Sequence, residues 1–203
     1  MIKLDDRLAA IAALVRPDKR ICDVGTDHAL LPCYLCEHGA EEVIASDINE
    51  HPLEAARANI ERYGFTGRIA LTRSDGLKDI PPCGDVIIAG MGGELIAEIL
   101  SGCTFITPDT RFILQPMTKE PVLRRYLYAN GFEITLENGA FSAGKAYTVM
   151  LVRYTGEKRD IDAAFAYFGK NTDKRYINKV NSQLRKLAMG DPVLLDIIKG
   201  ETP

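Results

Sequence analysis

Four short runs of this chain carry side chains whose types and spacing can do chemistry. The first is Asp23-Val24-Gly25-Thr26-Asp27-His28-Ala29-Leu30-Leu31-Pro32, where an apolar segment ends in an acid, turns at a glycine and enters a helical pattern. Such a strand-to-helix junction exposes backbone N–H groups at the positive end of a helix dipole, which suits a ligand bearing a carboxylate or phosphate. One glycine, Gly25, occupies the turn where dinucleotide binders carry G-x-G-x-x-G, so a nicotinamide-dependent oxidoreductase is disfavoured. Asp27 and His28 place two titratable groups at the mouth of the same turn.

The second run centres on Asp47-Ile48, roughly 20 residues beyond the glycine turn, where a carboxylate can accept both ribose hydroxyls. Capping the next helix is the other role open to Asp47. Asp75-Gly76-Leu77 offers a carboxylate and backbone amides that fit an adenine amino group, with an ordinary Asx-turn as the alternative. The fourth run, Ala89-Gly90-Met91-Gly92-Gly93, lets backbone approach a ligand closely, with Met91 as a soft contact for a sulfonium or purine ring. It could equally be a plain helix-entry turn.

The elements that must carry these runs alternate. Apolar spacing predicts helices over 4–15, 29–38, 52–63, 94–100 and 119–129. Strands are expected at 20–24, 43–47, 68–73, 85–89 and 111–114, then at 132–138 and 146–153 around a loop at 139–145. Continuous apolar strands between amphipathic helices make a mostly parallel sheet covered on both faces, with the last two strands as an antiparallel hairpin at one edge. Ligands bind such sheets at the carboxyl ends of the strands, near the switch in strand order. Asp23/Gly25, Asp47, Asp75, Ala89–Gly93 and Gln115-Pro116 all map there.

A 203-residue chain that is 46% apolar suits one ordinary domain with a small appendage. No apolar stretch nears the roughly 18 residues of a membrane span, and the N-terminus lacks a secretory pattern, so the cytoplasm is the expected location. Cys33 and Cys36 form a C-x-x-C, but no second ligand pair exists for zinc and the expectation is buried small side chains on a core helix. No metal site is predicted.

Charge divides the chain at about residue 154. Residues 155–203 hold nine Lys/Arg and seven Asp/Glu, whereas 1–154 hold 16 and 21. Lys170, Lys174, Arg175, Lys179, Arg185 and Lys186 face only Asp173 among acids in their stretch. A basic tail on an acidic body fits a polyanion partner, and a solvated helix face is the plainer account. Ile161, Ala164, Phe165 and Phe168, then Ile177, Val180, Leu184 and Leu187, predict two antiparallel coiled-coil-like helices broken near Gly169, with a short helix after Gly190. The expected division is a catalytic domain over 1–154 and a helical appendage over 155–203.

The strand ends Asp23-Val24-Gly25, Asp47 and Asp75-Gly76 resemble the cofactor motifs of class I S-adenosylmethionine methyltransferases. More narrowly, the Asp23–Pro32 run, Ala89–Gly93 and Leu114-Gln115-Pro116 resemble the bacterial TrmK family. The resemblance implies a Rossmann-like seven-stranded sheet that binds S-adenosyl-L-methionine through Asp23, Gly25, Thr26, Asp27, Asp47, Ile48, Asp75, Gly76, Leu77, Ala89, Gly90 and Met91. It implies methylation of N1 of adenine 22 in tRNA, leaving S-adenosyl-L-homocysteine. Asp27, His28, Asn59 and Gln115 become the catalytic candidates, and the basic tail a grip on tRNA. The chain has Leu30 where the family often has an aromatic, leaving Tyr34 and Phe141 as stacking candidates. Another RNA position, a small-molecule substrate and an inactive tRNA binder are the alternatives. The oligomeric state stays open between monomer and weak dimer.

Overall fold

Five parallel strands and a C-terminal hairpin form one seven-stranded sheet in the order β3-β2-β1-β4-β5-β7-β6. The computed structural model describes residues 2–198. Strands β1 (Ile21–Val24), β2 (Val43–Asp47), β3 (Ile69–Arg73), β4 (Asp85–Gly92) and β5 (Arg111–Thr118) are joined in parallel register. The order reverses between β1 and β4, which places a switch point at their carboxyl ends. β7 (Lys145–Tyr154) inserts antiparallel between β5 and β6 (Phe132–Ser142). Among the described residues no helix is long and apolar enough to cross a membrane.

Helices α1 (Asp6–Ala12), α2 (Leu30–Glu37) and α3 (Glu50–Tyr63) cover one face, and α4 (Gly93–Ser101) and α5 (Glu120–Ala129) the other. Cys33 and Cys36 are buried in α2 against the first face, as small core side chains. α1 is shorter than its apolar spacing predicts. Asp5 caps its first turn by accepting from the Leu8 amide at 2.7 Å, and residues past Ala12 turn away toward the sheet. There Arg16 and Arg111 both clasp the buried Asp85 carboxylate at 2.7 Å. Burial alone would raise the Asp85 pKa, but the bonds from the two guanidiniums outweigh it and hold the carboxyl below its usual range.

The expected loop at 139–145 is strand instead. Pairing runs without a break from Asn138↔Val149 to Ser142↔Lys145, and only Ala143 (φ 50°) and Gly144 (φ 75°) turn the chain. Two consecutive left-handed residues match the strand twist, so a tight hairpin replaces the loop. β6 runs parallel to β1, β4 and β5, so its tip lies on the same edge as their carboxyl ends.

The tail also departs from expectation. α6 (Ala163–Phe168) is six residues long, too short for heptad pairing with the 14-residue α7 (Lys174–Leu187), and a 3-10 helix follows at Pro192–Ile197. Both helices dock on the body. Arg124 of α5, fully buried, donates to Glu137 of β6 at 2.5 Å, to the Tyr176 hydroxyl of α7 at 2.8 Å and to the Ala166 carbonyl at 2.7 Å. Thr148 donates to the same carboxylate at 2.7 Å, and the Lys170 amide at 2.9 Å. Gly169 (φ 59°) passes over this cluster, where a Cβ would collide with Glu137 and Arg124.

Removing one partner of a buried pair strands a charge. Arg124→Ala is expected to lower unfolding free energy by about 3–5 kcal/mol, measured by urea denaturation. Arg153→Ala, which breaks the exposed Arg153–Glu133 pair, should cost no more than about 1 kcal/mol.

Candidate active site

A cavity of about 280 Å³ opens at the β1/β4 switch point, lined by Arg7, Leu8, Asp23, Gly25 to His28, Leu30, Leu31, Ala89 and Gly90. Its floor is Asp23, the third residue of β1, only 6% exposed. Burial pushes this carboxyl up to about 6, offset in part by Thr26 Oγ1, which donates to Asp23 Oδ2 at 2.8 Å. A desolvated carboxylate facing a cavity is stabilised by an incoming cation.

Gly25 turns with φ 74°, a conformation that strains any residue with a side chain, and the Met91 methyl sits where its Cβ would stand. The Gly25 and Thr26 amides are not presented to a ligand, because both donate to the Ser46 carbonyl, at 2.8 and 2.9 Å. Positive charge in the cavity comes instead from Arg7, which sequence reading passed over as one polar position of an amphipathic helix. Arg7 Nη1 donates to Gln115 Oε1 at 2.8 Å, and the Gly90 amide donates to the same oxygen at 3.2 Å. Gln115 is fully buried, and its Nε2 donates to the Pro116 carbonyl at 2.8 Å. It therefore ties α1 to the end of β4.

Asp27 and His28 form the outer wall. Asp27 (φ 48°) and Ala29 (φ 52°) are left-handed non-glycine residues on either side of His28, a costly arrangement that clusters at functional sites. His28 Nε2 lies 3.6 Å from Asp27 Oδ2, and both side chains are largely exposed. Asn59 of α3 donates to the His28 carbonyl at 2.9 Å, so it braces this loop. Leu30, 36% exposed, completes the rim. Tyr34 stacks on His38 at 4.0 Å and does not line the cavity.

A methyltransferase-domain family model matches residues 4–150. A tRNA (adenine(22)-N(1))-methyltransferase of Bacillus subtilis is 35% identical over 168 residues, 81% of this chain and 69% of that protein. The chain belongs to the TrmK family of methyltransferases. A Streptococcus pneumoniae protein solved in complex with S-adenosyl-L-methionine superposes with a TM-score of 0.84 at 31% identity, covering 97% of each chain. Mycoplasma capricolum TrmK in complex with S-adenosyl-homocysteine gives 0.78 at 28%, covering 96% of this chain and 92% of that one. The cofactor of this family member is S-adenosyl-L-methionine, and the donor set fits it: a buried acid for an ammonium, a guanidinium for a carboxylate and strand-end acids for the nucleoside.

Asp47 and Asp75 lie farther along the same edge. Asp47 is not a helix cap, since Asn49 occupies that position in α3; one Asp47 oxygen accepts from the Asn49 amide at 2.8 Å. Ile48 beside it is 52% exposed. Asp75 pairs with Lys78 at 2.5 Å on the surface. Gly76 turns at φ 62° against Ile99, and Leu77 is buried in the core, so Leu77 can offer a ligand only its backbone.

In the tail, Asp173 holds Arg175 at 2.8 Å and caps α7, and the Asp173 carboxyl falls to about 2, chiefly through the Arg175 hydrogen bond. Lys179 pairs with Glu120 at 2.8 Å. The Lys170 backbone is tied to Glu137, and Lys174 and Lys186 are exposed. Arg185 falls in the last turn of α7.

Asp23 yields a paired prediction. Its folded pKa lies above the ordinary 3.8, so the charge destabilises the apo protein above pH 6 and this cost fades as pH falls through about 6. Asp23→Asn should therefore raise apo stability at pH 8 by roughly 1–3 kcal/mol, with little change at pH 4. The same variant should bind S-adenosyl-L-methionine at least about tenfold more weakly in calorimetry.

Proposed function

We propose that this chain transfers the methyl group of S-adenosyl-L-methionine to N1 of adenine 22 in tRNA, in the cytoplasm. The observation that carries this reading is the strained Asp27-His28-Ala29 wall beside a cavity with an acidic floor, in a chain of this family. Bound in the cavity, S-adenosyl-L-methionine supplies an electrophilic methyl group on a sulfonium.

The remaining work falls to the chain. Asp23 meets the ammonium of the methionine portion and Arg7 its carboxylate; Asp47 accepts the ribose hydroxyls. Adenine N1 attacks as a neutral lone pair, so the product base is cationic. Asp27 is the carboxylate placed to stabilise that charge as it develops. His28, held through its own carbonyl by Asn59, orients the base or accepts a proton from the exocyclic amine. No group need be activated as a nucleophile, so positioning supplies most of the rate. The target base sits inside folded RNA and is extruded to reach the cavity.

The basic tail supplies phosphate contacts. Lys170, Lys174 and Lys186 are the main candidates, with Arg185 alongside; Arg175 and Lys179 contribute less because acids already hold them. Contacts of this type make tRNA affinity fall steeply with salt.

Incubation with labelled cofactor and tRNA transcripts carrying adenine or guanine at position 22 tests the reading. Label should enter the adenine transcript alone and appear as 1-methyladenosine after nuclease digestion. Transfer to both transcripts, or to neither, contradicts it. Asp27→Ala should lower kcat by roughly 100-fold or more while cofactor affinity changes little. Lost cofactor binding would make Asp27 a cofactor ligand instead.

A further inference from the structure

Large apolar side chains exposed on this molecule are unevenly distributed. Leu30, Ile48, Leu95, Met117, Val122 and Phe141 all sit on the carboxyl edge of the sheet or in the first helical turn beyond it. They are six of the twelve large exposed apolar side chains among the described residues. A concentration of apolar surface around a cavity marks a contact surface. Its single aromatic is Phe141, at the tip of the β6–β7 hairpin.

That tip is rigid and fastened to the cavity. Cross-strand pairing runs to Ser142↔Lys145, and Ser142 Oγ donates to Asp5 Oδ2 at 3.2 Å. Asp5 caps the helix that carries Arg7 and lies 3.8 Å from the Arg7 guanidinium. The Arg175 guanidinium sits 4.9 Å from the centre of the Phe141 ring, which keeps 37% of its surface exposed. Lys174 precedes Arg175 in α7, and Lys145 pairs with Ser142, one position toward the turn from Phe141; both are exposed. Asp173 neutralises much of Arg175, which leaves the two lysines as the local phosphate ligands.

We propose that Phe141, backed by Arg175 and with exposed Lys174 and Lys145 at neighbouring positions, is a stacking platform for a nucleotide next to the methylated one. The inference rests on the tRNA-methylating reading. Extruding one base leaves its neighbours with an uncovered face, and an exposed aromatic beside cations covers such a face whatever the base identity. Phe141 thereby holds the strand in register while the adenine occupies the cavity. It acts on substrate binding and not on the methyl donor.

The chain contains no tryptophan, so Phe141→Trp creates a single tryptophan at the platform, excited selectively over the tyrosines. Titration with an adenine-22 tRNA transcript should quench its emission, since nucleobases stacked on an indole quench it. Unchanged emission at concentrations where filter binding shows the RNA bound overturns the proposal, and leaves the exposed edge to a protein partner. This readout needs no methyl transfer, so failure of the methylation reading and failure of the platform are separable. In kinetics, Phe141→Ala should raise the KM for tRNA at least roughly fivefold, with cofactor affinity and kcat unmoved, and Phe141→Tyr should restore it. An unmoved KM, or a loss shared by cofactor affinity and thermal melting, overturns it as well.

Discussion

The site depends on a carboxylate that the fold holds away from water. Asp23 is third in a four-residue strand flanked by β2 and β4, and the reversal of strand order next to it leaves a cavity into which it faces. Its desolvation is unfavourable in the empty protein and becomes favourable when a cation arrives. Thr26 fixes the carboxylate, Gly25 permits the turn under the Met91 methyl, and the Ser46 carbonyl gathers the turn amides. At the other edge of the sheet, Asp85 fastens the chain after α1 to β4 and β5 through Arg16 and Arg111. That anchor lets a short helix carry Arg7 across to the cavity and meet Gln115.

A second buried charge cluster governs the tail. Arg124, Glu137, Tyr176 and Thr148 link α5, β6, α7 and β7, so the basic helix is braced against the sheet edge. Its first residues stand beside the hairpin tip, where a Cβ on Gly139 would collide with Asp173. Placing cations relative to the cavity this way costs buried polar groups, and the Arg124 Nε has no hydrogen-bond partner among the described residues.

Much of this was legible in the sequence because each signal was local. Acids and glycines at the ends of apolar runs announced the strand termini, and continuous apolar runs announced a covered parallel sheet. The features missed are those set by distant contacts. Arg7 is an ordinary helical arginine until Gln115, 108 residues away, turns it into the cavity. Gln115 looked presentable at a strand end, yet its side chain is fully buried, bonded to Arg7 of α1 and the Gly90 amide. Asn59 looked able to read a base, but its amide reaches the backbone of the His28 loop. The 139–145 segment looked like a loop because Gly139 and Gly144 read as breakers. Gly139 instead makes room for Asp173, and Gly144 forms half of a two-residue turn. Tail periodicity marked Phe168, Val180 and Leu184, which are buried, but Leu187 of the same stripe is exposed, and nothing local showed that Arg124 would hold the Tyr176 hydroxyl and the Ala166 carbonyl.

The account turns on Asp23 facing a cationic cofactor from a site that empties of water. Calorimetric titration of S-adenosyl-L-methionine near pH 6, in buffers of different ionisation enthalpy, measures the protons exchanged on binding. Because the cavity carboxyl of the empty protein titrates at about 6, an arriving ammonium should drive it to the ionised form and release a fraction of a proton, with the release vanishing by pH 8 and in Asp23→Asn. Zero release at pH 6, or proton uptake, would contradict the placement of Asp23 beneath the cofactor.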